Sequence, residues 1–173
     1  MRMEVVITCV EYDDLLQLTL PTVVRELVET TYDVNLYVLT HPDDVPTRKV
    51  ATENGAQAYI TEAFYRDNAA FNKAAALNEI IAQLEKDGWL LTLDADVAFQ
   101  EGMGGTIENE LENRHQLYGA RRLQCDSMAD WSSGNPLPQV RDKGEMPGYF
   151  HLFWADYQSY PLYEEEFEHA GGY

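Results

Sequence analysis

The feature that most narrows the possible folds is an alternation repeated along the first half of the chain. Short apolar runs at residues 4–10, 34–40, 57–60 and 89–93 are separated by stretches whose apolar residues recur at helical spacing. Runs this short suit strands rather than helices. Leu16, Leu20, Val23 or Val24, and Leu27 mark the first helix, with Pro21 either kinking it or starting a second one. His41-Pro42-Asp43-Asp44 reads as a turn and helix entry, and Gly55 stops the short helix that follows. Asp67 or Asn68 is the expected cap of a third helix carrying Phe71, Ala74, Leu77, Ile81 and Leu84, with Gly88 as its end. Strand and helix alternating in this way predict an α/β sandwich of three layers around a mostly parallel central sheet. Beyond Val97 a helix is expected over 107–113, extended chain over 116–123, a long polar loop over 126–147 and a last strand over 149–154.

The run Trp89-Leu-Leu-Thr-Leu-Asp-Ala-Asp-Val97 joins this pattern to chemistry. Residues 89–93 read as a strand buried on both faces, and open α/β sheets bind ligands at the carboxyl ends of their strands. Asp94 and Asp96 stand at such an end. Side chains at i and i+2 of a strand share a side, so the two carboxylates can converge on one hard cation. Mg²⁺ or Mn²⁺ suits oxygen ligands and needs only one or two protein carboxylates, the other positions going to water and phosphate.

Composition excludes several other classes. With 173 residues, 45% of them hydrophobic, the chain suits one domain with one sizeable core. Thirty acids against twelve bases give a formal charge of -18, which opposes attachment to nucleic acid or anionic membranes through a basic surface. Cys9 and Cys125 form no framework or metal pattern, so reduced thiols and a cytoplasmic protein are expected. No apolar run reaches membrane-spanning length.

Taken in order, several segments resemble nucleotide-sugar glycosyltransferases of the GT-A fold, close to family 2. They are Val-Ile-Thr-Cys-Val in the first strand, Thr-Leu-Pro, Thr-Glu-Ala-Phe-Tyr, Phe-Asn-Lys-Ala-Ala-Ala-Leu-Asn, the Asp-x-Asp strand and the closing Ala-Gly-Gly-Tyr. The resemblance covers nearly the whole chain, and Phe71-Asn72-Lys73 ahead of the Asp-x-Asp is its most specific part. It implies a metal-dependent, inverting hexosyltransferase that moves a sugar from a nucleotide-diphosphate donor, UDP- or GDP-linked, to a glycan or other hydroxyl acceptor. On this resemblance Thr8, Val10 and Glu11 hold the nucleobase, Asn72 and Lys73 reach the ribose, phosphates or sugar, and Asp94 and Asp96 bind Mn²⁺ or Mg²⁺. A late histidine often completes the metal site in related enzymes, and His151 and His169 are the candidates.

The resemblance departs from its pattern at the end. An acidic pair that includes or adjoins the catalytic base usually follows the Gly-Gly-Tyr segment, whereas here the sequence stops at Tyr173, so a domain truncated at its C-terminal end is expected. Asp156, Glu165 and Glu166 are candidates for the base by position. The alternative function is a non-catalytic module of the same fold that binds sugar nucleotides or a partner. Two other enzyme classes fit less well. A haloacid-dehalogenase-type phosphatase carries its Asp-x-Asp near the start of the chain, and a nucleotidyltransferase has a glycine-rich loop where Glu11-Tyr12-Asp13-Asp14 stands. Two features stay open between function and structure: the Arg121-Arg122 pair, whose forks suit phosphate, and Trp131, which either meets a sugar ring or anchors its loop.

Overall fold

The computed structural model describes residues 1–125, 127–132, 148–155 and 163. Its strands are β1 (Arg2–Thr8), β2 (Asp33–Thr40), β3 (Gln57–Ile60), β4 (Trp89–Asp94) and β5 (Phe150–Trp154). Its helices are α1 (Asp13–Val28), α2 (Val45–Glu53), α3 (Lys73–Ile81), α4 (Met103–Glu110) and the short α5 (Met128–Ser132), with a 3-10 segment at Ala63–Asn68. The sheet order is β3-β2-β1-β4-β5; β1 to β4 are parallel and β5 runs antiparallel beside β4. The expected α/β sandwich with a mostly parallel sheet is therefore what forms.

Alternation along the strands builds the layers. Met3, Val5 and Ile7 of β1 and Trp89, Leu91 and Leu93 of β4 face Leu16, Leu20, Val23 and Leu27 of α1 in one core cluster. Val6 and Leu90 point the other way, into a second cluster with Phe64 and with Leu77 and Ile80 of α3. Each side chain of this size contributes about 1.5–3 kcal/mol when fully buried. A shift of one residue in strand register would exchange the two faces, so the pattern locks the alignment.

Five local expectations are narrowed or corrected. Pro21 lies inside one continuous α1, which the unbroken buried stripe from Leu16 to Leu27 holds together on both sides of the proline. The cap of α3 is Asn72, whose side-chain oxygen accepts from the Ala75 amide at 2.9 Å. Asp67 and Asn68 instead turn the chain in left-handed conformations (φ 57° and 63°) within the preceding 3-10 segment. That helix ends at Ile81, well ahead of Gly88. Gly88 is required by close packing, because a Cβ there would lie 2.6 Å from the Arg2 carbonyl oxygen where β4 enters beside β1. The extended stretch over 116–123 supplies an isolated bridge from Tyr118 to Leu152 rather than a full strand. The helix expected over 107–113 lies earlier, at Met103–Glu110. Among the described residues no helix is long and apolar enough to cross a membrane.

Candidate functional site

The strand order reverses between β1 and β4. From β1 the chain builds outward to β2 and β3, then returns through α3 to place β4 on the other side of β1. A crevice opens at the carboxyl ends of such a pair, where α/β sheets bind ligands. Thr8 and Asp94 are register partners at this point.

Each carboxylate is placed by a different force. Residues 89–93 are buried, and Asp94 is the first partly exposed residue of β4. Counting by twos, Asp94 shares a face with Leu90, on the α3 side of the sheet. The Lys73 ammonium, at the first residue of α3, pairs there with Asp94 Oδ1 and also donates to the Gly148 carbonyl at 3.3 Å. The turn beyond is tied to α1 by two threonines: Thr19 Oγ1 donates to the Ala95 carbonyl at 2.6 Å, and Thr22 Oγ1 accepts from the Phe99 amide at 2.9 Å. Asp96 stands exposed at the rim of the crevice. Even so, the protein around its carboxyl group and the like charge of Asp94 push its pKa above the ordinary value, with Lys73 and Arg122 opposing the shift.

On the β1 side, Thr8 is 7% exposed and its buried hydroxyl has no hydrogen-bond partner among the described residues. A buried polar atom without a partner costs about 1–3 kcal/mol, so a ligand that satisfied it would recover part of that loss. Val10 is buried in the cluster around Phe64. Glu11 is exposed and left-handed (φ 60°), and its amide donates to Asp44 Oδ2 at 2.7 Å. Asp44 also caps α2 through the Thr47 amide at 3.1 Å and accepts from the Thr40 hydroxyl at 3.2 Å. Burial alone would raise the Asp44 pKa, but hydrogen bonds from Glu11, Thr47 and Thr40 outweigh it and hold the carboxyl below its ordinary value.

His151 faces Thr92 across the β4–β5 ladder, and its Nδ1 lies 3.0 Å from the Tyr163 hydroxyl, which also meets Thr92 Oγ1 at 2.9 Å. Asp156, Glu165, Glu166 and His169 lie outside the described residues. Among the described residues no three His, Cys, Asp or Glu side chains gather into a metal cluster. The donor set that is present fits a hard divalent ion all the same. Both carboxylates offer oxygen donors only, beside the Lys73 ammonium.

Sequence reasoning missed Asp44, Thr19 and Thr22 as the residues that position the site. Asp44 carried a legible signal, an acid two residues ahead of Pro46 at a helix entry. The threonines on the buried face of α1 carried none, because their partners lie in a turn remote along the chain.

No protein-family model matches this chain, and no curated protein matches its sequence. In structure it is similar to glucosyl-3-phosphoglycerate synthase from Mycobacterium tuberculosis in complex with uridine-diphosphate. That likeness has 19% identity and a TM-score of 0.49, covering 69% of this chain and 45% of that one. The same enzyme in complex with Mn²⁺, uridine-diphosphate and glucosyl-3-phosphoglycerate gives 20%, 0.41, 54% and 33% for the same measures. Mannosyl-3-phosphoglycerate synthase from Rubrobacter xylanophilus gives 18%, 0.44, 59% and 33%. These neighbours are GT-A glycosyltransferases, and this chain spans less than half the length of each.

Proposed function

We propose that this chain carries the donor site of a metal-dependent glycosyltransferase, which moves a sugar from a nucleoside-diphosphate donor to an acceptor hydroxyl. The observation that carries this reading is the meeting of Asp94, Asp96 and Lys73 at the β1–β4 switch point. Thr8, Val10 and Glu11, at the carboxyl end of β1, are the residues assigned to the nucleobase, with the unsatisfied Thr8 hydroxyl available to bond it. Lys73, beside Asp94, would meet the diphosphate as a point charge. Asn72 supports the reading indirectly: its cap starts α3 at Lys73 and so orients the ammonium. Asp94 and Asp96 hold Mn²⁺ or Mg²⁺, which when bound supplies Lewis-acid stabilisation of the leaving phosphate. An inverting reaction also needs a carboxylate that takes the acceptor proton, the role proposed for Asp156.

The test is calorimetric titration with UDP, with and without Mn²⁺. Binding is expected to require the metal, and Asp96→Asn should weaken it by about 2–4 kcal/mol, the scale for removing one partner of a charged hydrogen-bonded pair. Lys73→Ala should cost less, because water and metal partly replace a point charge. UDP binding that ignores Mn²⁺ and is unchanged in Asp96→Asn would falsify the assignment. Turnover of UDP- or GDP-sugars then separates an enzyme from a binding module.

A further inference from the structure

The carboxylate of Asp94, which the donor reading gives to a divalent ion, is in contact with a cation of the protein's own, the Lys73 ammonium. We propose that Lys73 competes with the divalent ion for Asp94, so that metal and nucleoside diphosphate bind as a coupled pair, each strengthening the other through this one side chain. The proposal rests on the donor reading for the identity of the two ligands. It adds their energetic relation: the metal alone binds weakly, and the metal with a diphosphate binds strongly.

Three observations carry it. First, the ammonium is built into its position. Asn72 caps α3 through the Ala75 amide at 2.9 Å and so begins the helix at Lys73, whose Nζ pairs with Asp94 Oδ1 and donates to the Gly148 carbonyl at 3.3 Å. Second, the pair is only partly screened by water, its side chains being 25% and 27% exposed. A divalent ion held by the same carboxylate stands close to the ammonium, and at such a site the like charges repel more than they would in open solvent. Third, the charge of Lys73 reaches the second carboxylate, where it opposes the rise in the Asp96 pKa that burial and Asp94 cause. One ammonium therefore offsets both acids that the ion needs. A diphosphate removes the conflict, because it accepts the Lys73 hydrogen bonds in place of Asp94 and offers the ion oxygen donors of its own. The position of Lys73 at the first residue of α3 favours this exchange, since a helix N-terminus stabilises an anion and disfavours a cation.

Mn²⁺ titration followed by the electron paramagnetic resonance of the free ion, on the full chain with and without UDP, tests this. Removing the ammonium in Lys73→Met should tighten Mn²⁺ binding without UDP about tenfold, the scale of one like charge beside an ion in a half-buried site. UDP should raise Mn²⁺ affinity in the wild type, and that factor should shrink about tenfold in Lys73→Met, where no competitor remains to be drawn away. Lys73→Gln should behave as Lys73→Met does, and circular dichroism reports that each variant is folded. Arg122→Gln is the control for general charge: it removes another cation that acts on Asp96, a guanidinium 5.2 Å from the centre of the Tyr149 ring. It should change Mn²⁺ binding by less than about threefold and leave the UDP factor as it is. Mn²⁺ binding without UDP that is unchanged or weaker in both lysine variants overturns the proposal. So does an equal gain in Arg122→Gln, because general charge would then account for the effect. If the wild type binds UDP with Mn²⁺ while the lysine variants show no gain, the donor reading stands and the competition fails. If the lysine variants bind Mn²⁺ more tightly but no form of the protein binds UDP, the competition stands and the donor reading fails.

Discussion

Replacing Asp44 by alanine should unfold the β1 side of the crevice more readily than any single contact suggests, because one carboxylate joins three elements. It caps α2 through Thr47, takes the Thr40 hydroxyl at the end of β2, and holds the Glu11 amide across 33 residues of chain. Loss of an N-cap costs about 1 kcal/mol. Loss of a hydrogen bond to a charged group costs about 1.5–3 kcal/mol, and the fully buried Thr40 hydroxyl is left without its acceptor. The three losses share one side chain and are not additive, so about 3–5 kcal/mol is expected for Asp44→Ala. For a domain of this size each kcal/mol moves Tm by about 2–4 °C, which predicts a fall of roughly 6–20 °C. Thermal unfolding followed by circular dichroism measures it, and hydrogen exchange should show faster exchange of the Glu11 amide. The pH dependence has a definite sign. The folded-state pKa of Asp44 is lowered, so the stability from its charge is fully present above the ordinary value of 3.8 and is lost as pH falls through the folded value. Asp44→Asn keeps a good cap but no charge, so its deficit should be constant between about pH 5 and 8 and shrink in acid. A Tm within 2 °C of wild type for Asp44→Ala, or a deficit for Asp44→Asn that grows below pH 3.8, would refute the reasoning.

Two further outcomes follow from packing and charge. Gly104→Ala should destabilise the protein by about 1–3 kcal/mol in urea unfolding, because the added Cβ would lie 2.2 Å from the Glu26 carbonyl oxygen and push α4 off α1. Raising NaCl from low to high concentration should raise Tm, since screening relieves repulsion among thirty acids, and a flat or falling Tm would count against that account.

Local pattern by itself determined the element types and the place of the Asp-x-Asp. Residues 89–93 are buried on both faces and end in an acid, and that alone sets Asp94 at a strand terminus. The stripe from Leu16 to Leu27 likewise required α1, proline included. Helix boundaries were less legible, because Asp67, Asn68 and Asn72 are all competent caps and only the path of the 3-10 segment chooses among them. Tertiary structure alone decided which groups meet. Lys73 reaches Asp94 across 21 residues, Thr19 reaches Ala95 across 76, and Asp44 holds Glu11 across 33. All three depend on the order β3-β2-β1-β4-β5, which brings β4 back beside β1 and sets Thr8 opposite Asp94. The physical reason is that hydrophobic periodicity reports only which face of a segment is buried, and the same face can be buried against several neighbours. The choice among neighbours comes from the hand of the crossovers and from close approaches such as that of Gly88 to Arg2, which no local stretch of the chain contains.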